Sequence, residues 1–117
     1  MAKKVEPLTE SYFYILLCLA EGPKHGYGIM QKTKELSKGE VKIGSGTMYG
    51  ATGNMMKKGW IVESNDYSEG AERRRMYKLT EEGRETLDAE INRLKRLLEG
   101  AKSILEGESY GKIEDKS

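Results

Sequence analysis

The 117-residue chain has a single cysteine, Cys18, and a single histidine, His25. A lone thiol forms neither an internal disulfide nor a thiolate metal cage, and a lone imidazole leaves no His-rich metal site. No nucleophile–base pair is evident either, because the hydrophobic pattern assigns the two residues to different elements. Long apolar runs are also missing. The longest, Tyr12 to Ala20, falls far short of the roughly 20 residues a membrane span requires. The opening Met1-Ala-Lys-Lys-Val-Glu is basic but has no adjacent apolar stretch, so the simplest expected location is the cytoplasm. Finally, no charge sign dominates. Lys and Arg number 20 against 19 for Asp and Glu, so an argument for nucleic-acid binding must rest on where the charges lie. What remains is a polar chain sized for one domain with an appended element, burying roughly two thirds of its unfolded surface.

Residues 1–8 read as an arm containing Pro7. Thr9 is a good N-cap for a helix in which Tyr12, Ile15, Leu16 and Leu19 recur at helical spacing, with Phe13 and Leu17 widening the stripe. Glu21-Gly22-Pro23 ends it, with Gly22 suited to a left-handed cap. A second helix begins near His25 or Gly26 and runs to about Leu36. Ser45 offers a cap for a third, Thr47 to Lys58, with Met48, Ala51, Thr52 and Met55 on one side and Gly59 closing it. Trp60–Glu63 and Arg75–Leu79 are strand-like, so a two-stranded hairpin with a long polar tip is expected. Within it, alternation turns Tyr77 and Leu79 to the core together with Arg75, and Arg74, Met76 and Lys78 away. Thr80 caps a final helix whose Leu87, Ile91, Leu94, Leu98, Ala101 and Leu105 follow a 3.5-residue repeat, a seam rather than a broad face. Residues from Gly107 onward read as frayed.

The expected fold is mainly α with a small β-hairpin. Three helices and a hairpin make a winged helix-turn-helix over residues 9–80, followed by a long C-terminal helix over 81–106. In that layout the third helix enters the DNA major groove and the hairpin tracks the flanking backbone, although such domains also serve as protein-interaction modules. The residues are more specific than the order. Leu16-Leu-Cys-Leu19 leading into Gly22-Pro-Lys-His-Gly-Tyr-Gly28, then Gly44-Ser-Gly-Thr-Met-Tyr-Gly-Ala51, Lys58-Gly-Trp-Ile61 and Arg73-Arg-Arg-Met-Tyr-Lys-Leu-Thr-Glu-Glu-Gly83 resemble, in order and spacing, the PadR family of bacterial transcriptional regulators. The short chain with one C-terminal helix is similar to that family's smaller branch. The resemblance implies a dimeric repressor that grips double-stranded, pseudo-palindromic operator DNA and is released by small molecules. One departure stands out: Thr52-Gly53-Asn54 replaces the Leu and following polar or basic residue usual in the family.

The candidate DNA-binding residues are Tyr27, Ser45, Thr47, Tyr49, Asn54, Lys57, Arg73, Arg74, Arg75 and Lys78. Hydroxyls and N–H groups at a helix start bond phosphates, Asn54 can pair with an adenine edge, and Lys57 with a phosphate or guanine. On the residues alone the third helix also reads as an ordinary amphipathic helix with a solvated face; the resemblance favours groove insertion. Tyr27, in the family's His-Gly-Tyr motif, touches the DNA backbone or braces the third helix. Gly50 and Gly53 offer no side chain to a base, which shifts the reading of sequence toward DNA shape.

The seam residues Leu87, Ile91, Leu94, Leu98, Ala101 and Leu105 are the candidate homodimer contacts. Tyr12, Phe13, Tyr14 and Leu17 occupy the places where the resemblance puts a pocket for an aromatic or drug-like effector. No metal, cofactor or membrane partner is expected. Two rival readings stay open: a dimeric interaction protein with weak or non-specific DNA binding, and an enzyme, for which no nucleophile–base pair or metal cluster stands out.

Overall fold

In a computed structural model, residues 6–64 and 75–108 are described. Lys3, Lys4, residues 65–74 with Arg73 and Arg74, and the chain beyond Glu108 lie outside the described residues. The elements run α1 (Glu10–Glu21), β1 (Lys24–His25), α2 (Gly26–Leu36), α3 (Ser45–Lys57), β2 (Ile61–Ser64), β3 (Met76–Leu79) and α4 (Glu81–Lys102), with a π-helical segment over Ser103–Glu108. Two compact units divide the chain: a body from Pro7 to Leu87, and a second unit that takes Glu6 and the described residues from Asp88 onward.

Thr9 caps α1 as its sequence suggests, its Oγ1 accepting the Tyr12 N–H at 3.1 Å. Ile15, Leu16, Cys18 and Leu19 form the buried face of that helix. Gly22 ends it with φ 154° and ψ 170°. That is an extended, glycine-only conformation in place of the expected left-handed cap, and it leads the chain directly into β1. This two-residue strand is too short to carry a period and was not foreseen. It converts the expected two-stranded hairpin into a three-stranded antiparallel sheet of order β1-β3-β2, with Lys24 opposite Tyr77 and Ile61 opposite Leu79.

Both α2 and α3 close with the same double hydrogen bond. At α3, the Gly59 N–H donates to the Met56 carbonyl and the Trp60 N–H to Met55, with Gly59 left-handed at φ 81°. At α2, Lys38 donates to Glu35 and Gly39 to Lys34, but the left-handed position is filled by Lys38, φ 54°. A Cβ there crowds the following carbonyl. At its start, α3 differs from the expectation. Gly44, not Ser45, is the N-cap, because its extended backbone directs its carbonyl to the Met48 N–H at 2.9 Å; Ser45 is the first helical residue.

The core of the body joins the α1 face to Ile29 and Thr33 of α2, Met48, Ala51, Thr52 and Met55 of α3, Ile61, Tyr77 and Leu87. Thr52 is accommodated because its hydroxyl lies 3.0 Å from the Met48 carbonyl oxygen and 3.2 Å from that of Tyr49. Burial pushes the Cys18 thiol above its ordinary value, and its nearest polar neighbour is the Thr33 hydroxyl at 3.7 Å. Such a thiol is a packing group.

The first turns of α4 belong to the body. Thr80 Oγ1 accepts the Gly83 N–H at 2.9 Å and lies 2.6 Å from the Gly59 carbonyl oxygen. A Cβ on Gly83 would stand 2.1 Å from the Trp60 carbonyl oxygen. Leu87 is only 2% exposed, so its side chain is spent on the core and it is removed from the expected intermolecular seam. Gly107 and Glu108 fall in the π-helical segment and not in a frayed end.

Two stability changes follow from this backbone geometry. Gly83→Ala should destabilise the body by about 3 kcal/mol in urea denaturation, because the new methyl meets a backbone carbonyl that cannot move aside. Lys38→Gly should stabilise it by about 1 kcal/mol by relieving the left-handed strain; a lower denaturation midpoint would contradict that account.

Candidate nucleic-acid interface

The N-terminal ends of α2 and α3 open onto one cleft of about 640 Å³ beside the sheet. Ser45 and Tyr49 line it from α3, Tyr27 and Met30 from α2, and Arg75 and Tyr77 from the β3 side. Four sequence candidates, Tyr27, Ser45, Tyr49 and Arg75, are thereby brought together from three stretches of chain. Tyr27 and Tyr49 are 57% and 67% exposed, unusual for aromatic rings and suited to a surface that a partner covers.

His25 organises the α2 side. It is the N-cap of α2, its Nδ1 accepting the Gly28 N–H at 3.0 Å, and its ring stacks beside that of Tyr27 with centroids 6.5 Å apart. The Tyr27 hydroxyl accepts a hydrogen bond from Gln31 Nε2. Tyr27 is thus held by neighbours while its ring stays open to solvent. The capping role of His25 was missed in the sequence because Ser, Thr, Asp and Asn are the usual caps.

The outer face of α3 is unusually bare. Gly46, Gly50 and Gly53 fall on one stripe with Lys57, and a Cβ at any of the three glycines would meet nothing within 4 Å. Thr47 and Lys57 are exposed as well. Asn54 is placed differently. Its Nδ2 donates to the Tyr12 Oη of α1 at 3.0 Å, so it sits on the flank toward α1.

The sheet contributes less free charge than its sequence implies. Lys78 is exposed on β3, opposite the exposed Val62 of β2. Arg75 is exposed, contrary to the expectation that it faces the core with Tyr77. It precedes β3, no ladder pairing holds it, and its Nε lies 3.3 Å from the Glu63 carboxylate. A second, shallower basin of about 950 Å³ gathers Lys24 and Lys32. Glu21 lies 2.9 Å from Lys24 and 3.7 Å from Lys32, and Lys32 is 3.6 Å from Glu35. The Lys24 hydrogen bond and charge hold the Glu21 carboxyl below the usual carboxylate range, so these cations are already engaged.

Of the α1 aromatics, Phe13 and Tyr14 meet edge to face at 5.9 Å, and Tyr12, Phe13, Tyr14 and Leu17 are all half-buried. In the second unit, Leu94, Leu97, Leu98, Ile104 and Leu105 are between 40% and 61% exposed, and Ala101 is exposed beside them. Leu97 and Ile104 widen the seam seen in the sequence. Glu90, 2% exposed, receives two 2.8 Å bonds from Arg93. Among the described residues no three His, Cys, Asp or Glu are grouped to hold a metal, and no helix is long and apolar enough to cross a membrane.

Three helices, a three-stranded sheet and a cleft at two helix starts define a winged helix-turn-helix protein. The sequence profile of the Transcriptional regulator PadR-like family matches residues 15–89, and the chain belongs to that family. A PadR family transcription regulator from Clostridium difficile R20291 is 28% identical with a TM-score of 0.68, covering 83% of this chain and 99% of that one. Bacillus subtilis PadR in complex with operator DNA is 23% identical with a TM-score of 0.58, covering 67% of this chain and 44% of that one. An uncharacterized 37.1 kDa protein in transposon TN4556 of Streptomyces fradiae is 31% identical over 89 residues, covering 76% of this chain; the chain spans 24% of its length.

Replacing His25 by Ala should cost about 1 kcal/mol through the lost cap and loosen Tyr27. Denaturation, with the Tyr27 ring followed by NMR, checks both.

Proposed function

We propose that the chain is a sequence-specific regulator of transcription that binds double-stranded, pseudo-palindromic operator DNA as a homodimer and represses until a small molecule releases it. The observation that carries the DNA reading is the cleft at the starts of α2 and α3, where exposed Tyr27 and Tyr49 stand beside Ser45 and Arg75. In this reading the first turn of α3 enters the major groove with Ser45, Thr47 and Tyr49, Lys57 reaches a phosphate further along, and the hairpin cations Arg73, Arg74, Arg75 and Lys78 follow the backbone. A ligand phosphate outcompeting Glu63 frees Arg75. The operator-bound state of Bacillus subtilis PadR supports the same use of the fold here.

Dimerisation is carried by the apolar stripe of Leu94, Leu98, Ala101 and Leu105, flanked by Leu97 and Ile104. Ile91, half-buried, precedes it at the same spacing. An exposed stripe this long is a surface that water disfavours. Pairing would set two recognition helices roughly 34–36 Å apart, one turn of duplex. The effector would be an aromatic or drug-like molecule engaging the α1 face of Tyr12, Phe13, Tyr14 and Leu17. A second reading, a dimeric interaction protein with weak or non-specific DNA binding, is favoured by the glycine stripe of α3, which offers few base-reading groups.

Duplex from the chain's own upstream region should bind more tightly than a scrambled duplex, with affinity falling steeply as salt rises. Equal weak binding to both would favour the second reading. Changing Arg73, Arg74 and Arg75 together to Ala should leave the fold intact and flatten the plot of log affinity against log salt by about one for each arginine that contacts a phosphate; unchanged affinity would remove the wing from the interface. Leu94→Glu combined with Leu98→Glu should give a folded monomer in sedimentation equilibrium, and a surviving dimer would refute the seam.

A further inference from the structure

We infer that Asn54 is a positioning residue: it fixes the setting of the recognition helix through the Tyr12 hydroxyl and does not itself read a base. This rests on the proposed DNA-binding function and refines it. The inner face of α3 buries Met48, Ala51, Thr52 and Met55; the first, second and fourth are apolar, and the Thr52 hydroxyl turns back to carbonyls of its own helix, so none of the four side chains hydrogen-bonds a neighbouring element. Apolar burial is non-directional, so it sets how deep the helix lies more firmly than how far it is rotated about its own axis. At its start α3 has no side-chain cap, and the outer stripe of Gly46, Gly50 and Gly53 has no side chain with which to hold a neighbour. The bond from Asn54 Nδ2 to Tyr12 Oη, 3.0 Å across 42 residues of sequence, supplies a directional restraint between α3 and α1. It persists in either orientation of the amide, because a tyrosine hydroxyl both donates and accepts.

The same bond weakens the assignment of Asn54 as an adenine reader. Bidentate pairing needs the amide plane turned to the base edge, whereas here the amide is turned to the flank that faces α1. An adjacent glycine, Gly53, leaves the outer face open, so a rotation of α3 about its axis would redirect Ser45, Tyr49 and Lys57 together. A small restraint on the flank therefore acts on several contacts at once.

The test is a double-mutant cycle in operator affinity, measured well below the melting temperature. Tyr12→Phe, Asn54→Ala and the combined variant are titrated against the duplex from the chain's own upstream region and against a panel in which each base pair is replaced in turn. Each single change should weaken binding roughly threefold, the combined change should weaken it no further than the stronger single one, and the ranking of the panel should stay as in the wild type. If Asn54→Ala alters the preferred base at one position while Tyr12→Phe leaves affinity untouched, Asn54 reads a base and the inference is wrong. If both variants melt earlier yet bind as the wild type does, the bond serves stability alone and the inference is again wrong. Failure of the underlying reading looks different: the wild-type chain itself would bind own and scrambled duplexes alike.

Discussion

Trp60 is the residue on which the body is assembled, and it acts through its backbone. Its N–H donates to the Met55 carbonyl at 2.9 Å and so finishes α3; its carbonyl accepts the Thr80 N–H at 3.0 Å and thereby receives the residue that caps α4. Gly83 approaches the same carbonyl so closely that only a hydrogen fits. The end of α3, the start of β2 and the start of α4 are therefore registered at a single peptide. Its ring has a lesser part, half-buried with the Lys58 ammonium 5.3 Å from its centroid. Because backbone hydrogen bonds leave little angular freedom, this junction fixes where the wing sits beside the α3 start, and hence which side chains share the cleft.

The charges of the body are divided between cations paired with a carboxylate and cations that stand exposed on α3 and the sheet. Lys24 and Lys32 are engaged by Glu21 and Glu35, and Arg75 by Glu63. Lys57 and Lys78, both exposed, stand on α3 and the wing. Exposed ion pairs of this kind are weak, so Glu63 holds Arg75 only loosely. Charge here is distributed by placement, and the net value conceals it.

Much of the architecture was legible because it rests on local chemistry. Thr9 and Thr80 are strong caps and do cap α1 and α4; Gly59 supplies the left-handed turn after α3; the apolar side of α3 is the side that packs. What escaped was, with one exception, non-local. β1 exists because β3 passes beside Lys24 and His25, a pairing that no two-residue segment announces. The His25 cap of α2 is local, an imidazole Nδ1 three residues before the Gly28 N–H, and it escaped only because histidine is not among the usual capping residues. Arg75 and Tyr77 share a strand parity, yet only Tyr77 lies within the ladder and beneath the core. Leu87 fits the heptad seam as well as Leu94 does, and periodicity cannot distinguish a residue that meets its own core from one left open.

The sequence by itself therefore determined the order of the four helices and of the two strands after α3, the Thr9, Gly59 and Thr80 caps and the apolar sides of the helices, since each depends on residues within a few positions of one another, and its motifs carried the family. Only the tertiary structure decided which cations are already paired, which tyrosines stand open, that Asn54 is tied to Tyr12, and that Leu87 belongs to the core. The Asn54–Tyr12 bond joins segments 42 residues apart, and even the ion pairs that join near neighbours, Glu21 with Lys24 and Lys32 with Glu35, are one choice among several that a sequence rich in both charges allows.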